Sequence, residues 1–352
     1  MILNIPLVFF ISLTLVLVVV SLPLKWITSL EDSKGVQKFH STPTPRIAGI
    51  PVFISFFTGL WFALGASEWL LFLFLVSLPV FVGGLVEDIA ACVSPFKRLL
   101  ITSLSIVIAF FVLDVKIDSL GFVWVDQILS SYAIISLLFT LLVVAGAVNS
   151  FNIIDGFNGL LGGYAILVCL AIAYVAYILG DTLVFQMSSI LAASLFGFLV
   201  FNFPFGKIFM GDGGAYFVGF MVSIIGLMLG IRHDEVSHWF VLLLVIYPLY
   251  ETVFSIYRKK IVRGTSPSEP DGYHLHMLIY KRLVKCKTLK NNKVMCNSVT
   301  SPFLWALSLA GIIPAVIWYD DQSVLIILAF VFMAIYTIIY RRIVHFKFKF
   351  KK

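Results

Sequence analysis

Eleven apolar runs of 17–23 residues divide this 352-residue chain, and they decide its class. They fall near 2–24, 47–65, 69–86, 98–115, 131–148, 159–179, 183–201, 215–231, 238–257, 302–319 and 324–340. A helix needs about 20 mostly apolar residues to cross the hydrocarbon core of a bilayer. None of the runs alternates as a barrel strand would, so helices are expected throughout. The expectation is an all-α polytopic membrane protein, one domain over 1–352. Only 12% of residues are charged and the mean hydropathy is +1.04, against about 25% charge in soluble domains. That excludes a soluble globular domain, a disordered chain and a nucleic-acid-binding module, despite a net charge of +7. The first run is too long for a signal peptide and lacks a basic lead segment, so it reads as a retained helix.

The net charge resolves by side. With the N-terminus outside, segments 25–46, 87–98, 149–158, 202–214 and 258–301 and the tail from Arg341 face the cytoplasm. They hold 23 of the 25 Lys and Arg and, with Glu251 near the inner end of its span counted on this side, nine acids, a net of +14. The other side keeps Lys116, Arg232 and nine acids, a net of −7. Such a split follows the positive-inside rule and places the C-terminus in the cytoplasm. Cys92, Cys286 and Cys296 fall on that inner side and Cys169 in a span, so no disulfide is expected.

The chemistry collects in the inner segments. The first carries Lys38, His40 and Arg46 among prolines, donors for an anion. The second opens with Glu87-Asp88 directly after a span, followed by Lys97 and Arg98 as neutralising cations. Adjacent carboxylates at a span end are costly to desolvate and raise each other's pKa, which points to a cation or a proton-transfer role. The third has polar residues at every third position, Asn149, Asn152, Asp155 and Asn158, with no Lys or Arg. On a helical end they form one stripe. The fourth places Asp212 among Gly211, Gly213 and Gly214 at a helix start, suited to a metal-bound phosphate. The fifth holds Arg263, His274 and His276, and Glu251 lies late in the span before it. Carboxylates with glycine turns suit Mg²⁺, which binds one or two carboxylates plus substrate phosphates. In a membrane bundle this points to phosphoryl transfer onto a lipid.

At these residues the chain resembles the polyprenyl-phosphate N-acetylhexosamine-1-phosphate transferases. The most specific pieces are Asn152-Ile-Ile-Asp155-Gly-Phe-Asn158-Gly-Leu, similar to the family's NxxDGxDGL, and Phe209-Met-Gly-Asp212-Gly-Gly, similar to FxGDxGS. The resemblance implies transfer of a UDP-linked N-acetylhexosamine-1-phosphate to polyprenyl phosphate with release of UMP, in a bacterial cytoplasmic membrane, with Mg²⁺ (Mn²⁺ as an alternative). By the same resemblance Glu87 and Asp88 engage the lipid phosphate, with Asp88 as base. Asp155 joins the catalytic group and, with Asp212, the metal site. Asn152, Asn202 and Phe209 lie on the nucleotide side, with Phe209 stacked on uracil, and Asn158, matching the second acid of the third-loop pair, binds substrate. Lys38, Arg46 and Arg263 are phosphate-side cations, and His274 and His276 sit near the sugar phosphate. A homodimer is left open. Glu87 and Asn158 stand where the family has aspartates, Glu251 where it often has one, and Met277 where it has a third histidine. The missing histidine favours an initiating transferase for O-antigen, capsule or teichoic-type glycans over phospho-MurNAc-pentapeptide transfer. A secondary transporter is the rival from another class. Its polar groups would sit at the midplane in inverted repeats, and neither feature is visible.

Overall fold

A computed structural model describes residues 4–22, 44–266, 272–284, 289 and 292–345. The chain forms α1 (Asn4–Ser21), α2 (Gly49–Leu64), α3 (Glu68–Ala90), α4 (Pro95–Val112), α5 (Val123–Ser131), α6 (Ala133–Ile154) and α7 (Leu160–Ile178). It continues with α8 (Thr182–Asn202), α9 (Gly211–Arg232), α10 (His238–Leu244), α11 (Ile246–Tyr257), α12 (Leu275–Arg282), α13 (Lys293–Ile317) and α14 (Gln322–Val344). No β-strand occurs among the described residues.

Nine of these helices are long and apolar enough to cross a membrane. A tenth crossing is broken: α10 and α11 meet at a 71° bend. The eleventh apolar run is the 16-residue α2. Each run expected from hydropathy is therefore a helix, and the additions are the short amphipathic α5 and α12. Six helix starts carry side-chain caps. Ser67, Ser94, Asp181, Ser237, Asn292 and Asp321 each accept a hydrogen bond from an amide two or three residues on.

Lipid tails are as apolar as leucine, so helices in a bilayer associate through close packing of small residues rather than through hydrophobic burial. α9 follows that rule. It is the central helix, with 20 of its 22 residues buried. A methyl added at Gly84 of α3 would lie 2.5 Å from the Gly213 Cα, so the two backbones touch directly. Gly211 has φ of +78°, and a side chain there would strike the Asp88 carboxylate. Only glycine meets both demands. The packing brings the ends of α3, α6, α8 and α11 and the starts of α2, α4, α7, α9, α12 and α13 to one end of the bundle.

Cys296 is disulfide-bonded, in contrast to the free thiols expected, and its partner lies outside the described residues. Compartment sets the redox poise but not which thiols lie close together. Cys92 and Cys169 are free.

Candidate active site

The centre of this end is the start of α9. Asp88, in the last turn of α3, is 2% exposed and accepts from two amides of α9: Oδ1 from Asp212 N at 2.8 Å and Oδ2 from Gly213 N at 2.9 Å. It caps a neighbouring helix across space. A carboxylate is poorly placed at the C-terminal end of its own helix and well placed at the N-terminus of another. That explains the glycines around it, which let α9 come within reach.

Asp212 projects from the first turn of α9 and is 5% exposed. Its Oδ1 accepts from Arg46 Nη2 at 3.0 Å and from Asn152 Nδ2 at 3.0 Å. Its Oδ2 accepts from Arg98 Nη1. Arg46 also stands 3.9 Å from Asp88. Four segments distant in sequence thus meet on one carboxylate. Glu87 is half-buried beside this cluster, with Oε2 accepting from the Val93 amide at 2.7 Å.

A second cluster surrounds Glu251, which is fully buried. Its oxygens accept from the Leu275 amide at 3.2 and 3.1 Å, capping α12. Tyr336 donates to Oε2 at 2.7 Å, and His274 Nδ1 lies 2.9 Å from Oε1. The His274 and His276 rings stack in parallel, 5.3 Å apart. Their spacing of two residues works because His274 precedes the helix and His276 is inside it.

The third motif links the clusters. Asn152 reaches Asp212 from the end of α6, and Asp155 closes that helix. Phe157 then packs edge-on against His276, ring centres 5.4 Å apart. The stripe expected at 149, 152, 155 and 158 does not form as one face. Asn149 donates to the Ala145 carbonyl of its own helix, and the helix ends at Ile154.

Three of the expected substrate-binding residues, Asn158, Asn202 and Phe209, are buried. Asn158 is 1% exposed and turns away: its Nδ2 donates to Ser298 Oγ at 3.0 Å and to the Pro204 carbonyl at 3.4 Å. Its own amide donates to Asn297 of α13. Asn202 accepts from the Gly159 amide at 2.5 Å and donates to the Ile208 carbonyl at 2.7 Å. Phe209 is 2% exposed, and its backbone pairs with Pro45 and Ala48. The physical reason is shared: the turns at 155–159 and 203–210 carry polar backbone that must be satisfied inside the protein. Arg263 lies over Tyr273, its guanidinium 3.8 Å from the ring centre. Lys38 lies outside the described residues.

Two residues that contact the clusters are absent from the sequence-based site. Arg98 is one; its signal was a cation at the start of α4, the unfavourable end of a helix dipole for positive charge. Tyr336 is the other, and nothing in its apolar surroundings marks it.

Among the described residues, no three His, Cys, Asp or Glu side chains converge as a ready metal cage. Mg²⁺ does not require one, since it takes most of its ligands from water and phosphate. The Asp212 carboxylate is a hard oxygen donor of the kind such an ion takes, though in this structure Arg46, Asn152 and Arg98 occupy its oxygens.

The family model for glycosyl transferase family 4 matches residues 70–230. A probable undecaprenyl-phosphate N-acetylglucosaminyl 1-phosphate transferase of Bacillus subtilis (strain 168) is 29% identical over 248 residues, covering 70% of this chain and 68% of that protein. The undecaprenyl-phosphate alpha-N-acetylglucosaminyl 1-phosphate transferase of Thermotoga maritima is 27% identical over 267 residues, covering 74% and 77%. The protein of that name in Escherichia coli (strain K12) is 28% identical, covering 72% and 69%. Residues 70–230 include Asp88, Arg98, Asn152 and Asp212 but not Arg46.

Proposed function

We propose that the chain, similar over about 70% of its length to undecaprenyl-phosphate N-acetylglucosaminyl 1-phosphate transferases, moves a sugar-1-phosphate from a UDP-N-acetylhexosamine to polyprenyl phosphate at the cytoplasmic face of a bacterial membrane. The observation that carries the reading is the meeting of Arg46, Arg98 and Asn152 on Asp212, at the N-terminus of the central helix. That arrangement suits a diphosphate, because guanidinium forks match phosphate oxygens.

In this reading the lipid phosphate oxygen attacks the β-phosphorus of the donor, the bond to the bridging oxygen breaks, and UMP leaves. Little covalent work falls to the protein, so positioning and charge compensation dominate. Asp212, with Asp155, would hold Mg²⁺, which when bound neutralises charge on the diphosphate. Arg46 and Arg98 orient the phosphates. Glu87, half-buried and tied by one oxygen, orients the lipid phosphate and accepts its proton. We give that role to Glu87 rather than Asp88, whose two oxygens hold the α9 amides. His274 and His276, fixed through Glu251, face the sugar phosphate side. Initiation of a surface glycan such as O-antigen or capsule follows from this chemistry.

The test is UMP release by purified protein given undecaprenyl phosphate, Mg²⁺ and a panel of UDP-sugars. Turnover with an N-acetylhexosamine donor, lost in Asp212→Asn, is expected. No UMP from any donor overturns the reading.

A further inference from the structure

Asp212 has no oxygen left unclaimed by a cationic or amide donor. Oδ1 accepts from Arg46 and Asn152, each at 3.0 Å, and Oδ2 accepts from Arg98. Two guanidinium groups therefore serve one buried carboxylate, and neither is itself deeply buried: the side chains are 30% and 19% exposed for Arg46 and Arg98. The neighbouring acid cannot share the load, because Asp88 is committed to the α9 amides. A dication approaching Asp212 meets two positive charges in its coordination space. Like charges at such range oppose binding strongly. A diphosphate alone meets Asp88 and Asp212 in turn. Each ligand supplies the charge that the other needs.

We propose that Arg46 and Arg98 form a hand-over pair. In the substrate-free protein they neutralise Asp212 in place of a metal ion; when the nucleotide sugar arrives they shift to its diphosphate and release the carboxylate to the ion. The buried Nε of Arg98, which has no hydrogen-bond partner, fits a side chain not at its final station. A guanidinium suits both stations, since carboxylate and phosphate present similar oxygen pairs to its fork. The consequence is cooperative binding: the metal alone and the nucleotide alone bind weakly, and each raises the affinity for the other by the same factor. The inference rests on the reading of Asp212 as the metal-binding acid.

Mn²⁺ binding, followed by electron paramagnetic resonance on the full-length protein in detergent, tests this with and without UDP-N-acetylglucosamine. For the native protein the nucleotide sugar should tighten Mn²⁺ binding by roughly tenfold or more, within the usual range of coupling between sites. Arg98→Ala should bind Mn²⁺ alone roughly tenfold tighter and the nucleotide sugar more weakly, shrinking the coupling. Arg98→Lys keeps the charge but not the fork; it should hold Mn²⁺ affinity low while still losing the nucleotide sugar. If Asp212→Asn abolishes Mn²⁺ binding but Arg98→Ala does not tighten the binding of Mn²⁺ alone, the hand-over is refuted and the metal site stands. If Asp212→Asn binds Mn²⁺ as the native protein does, the metal assignment fails first and the hand-over falls with it.

Discussion

The assignment of Asp88 as the clamp on α9 makes the sharpest prediction. Asp88→Ala removes the acceptors of two buried amides, those of Asp212 and Gly213. No side chain nearby can take them, because Gly84, Gly211 and Gly213 surround the contact. An orphaned buried donor costs about 1–3 kcal/mol, so two cost about 2–6 kcal/mol. Loss of the favourable carboxylate at the helix N-terminus adds to this. Asp88→Asn keeps one acceptor and turns an NH₂ toward the other amide, so it should fall between native and alanine. Glu87→Gln loses only a bond to Val93, at the edge of the cluster, and should leave stability within about 1 kcal/mol. The assay is thermal unfolding of the detergent-solubilised variants, set against turnover. The expected order of stability is Glu87→Gln, Asp88→Asn, Asp88→Ala, with turnover lost in all three. If Asp88→Ala unfolds like the native protein and loses only turnover, Asp88 is a chemical group and not a clamp.

Other outcomes follow from the same contacts. Asn158→Asp restores the residue common in the family motif but replaces a donor facing the Pro204 carbonyl with an acceptor; thermal unfolding should show a loss of about 1–3 kcal/mol. Glu251→Gln should lower turnover more than it weakens the donor's KM, because it releases His274 and the start of α12 without touching the cluster at Asp212; an unchanged kcat would count against the buttress. At the opposite end, burial raises the pKa of Asp181, but bonds from Arg232, the Val184 amide and His233 outweigh it and hold the carboxyl below its ordinary value. A depressed folded-state pKa stabilises the protein above the unfolded value of about 3.9 and is lost as pH falls through the folded value. Unfolding measured from pH 7 down to pH 3 should therefore show an acid-sensitive component that Asp181→Asn removes.

Hydropathy located the nine helices among the described residues that are long and apolar enough to cross a membrane, because length and apolarity are local properties. Eleven crossings were expected; the run at 238–257 is bent and that at 47–65 is a 16-residue helix. The acids were legible for a similar reason: Glu87-Asp88 at the wrong end of a helix and Asp212 at the right end are unusual in one dimension. What those acids touch was not legible. Whether an asparagine binds a ligand amide or a backbone amide depends on which turn lies opposite, and the residue type suits either. Asn158 and Asn202 proved to hold the protein's own backbone. Asp88 is a cap from another helix, so no spacing rule within α9 could reveal it. Arg98 was noticed as a neutralising charge, but its partner lies 114 residues away.

The central claim is that sugar and phosphate move together. Purified protein in liposomes containing undecaprenyl phosphate should be given UDP-N-acetylglucosamine labelled separately in the sugar and in the β-phosphate. Both labels are predicted in the solvent-extractable lipid, with unlabelled UMP released in equal amount. Sugar label in the lipid with the β-phosphate retained in soluble UDP would contradict the account.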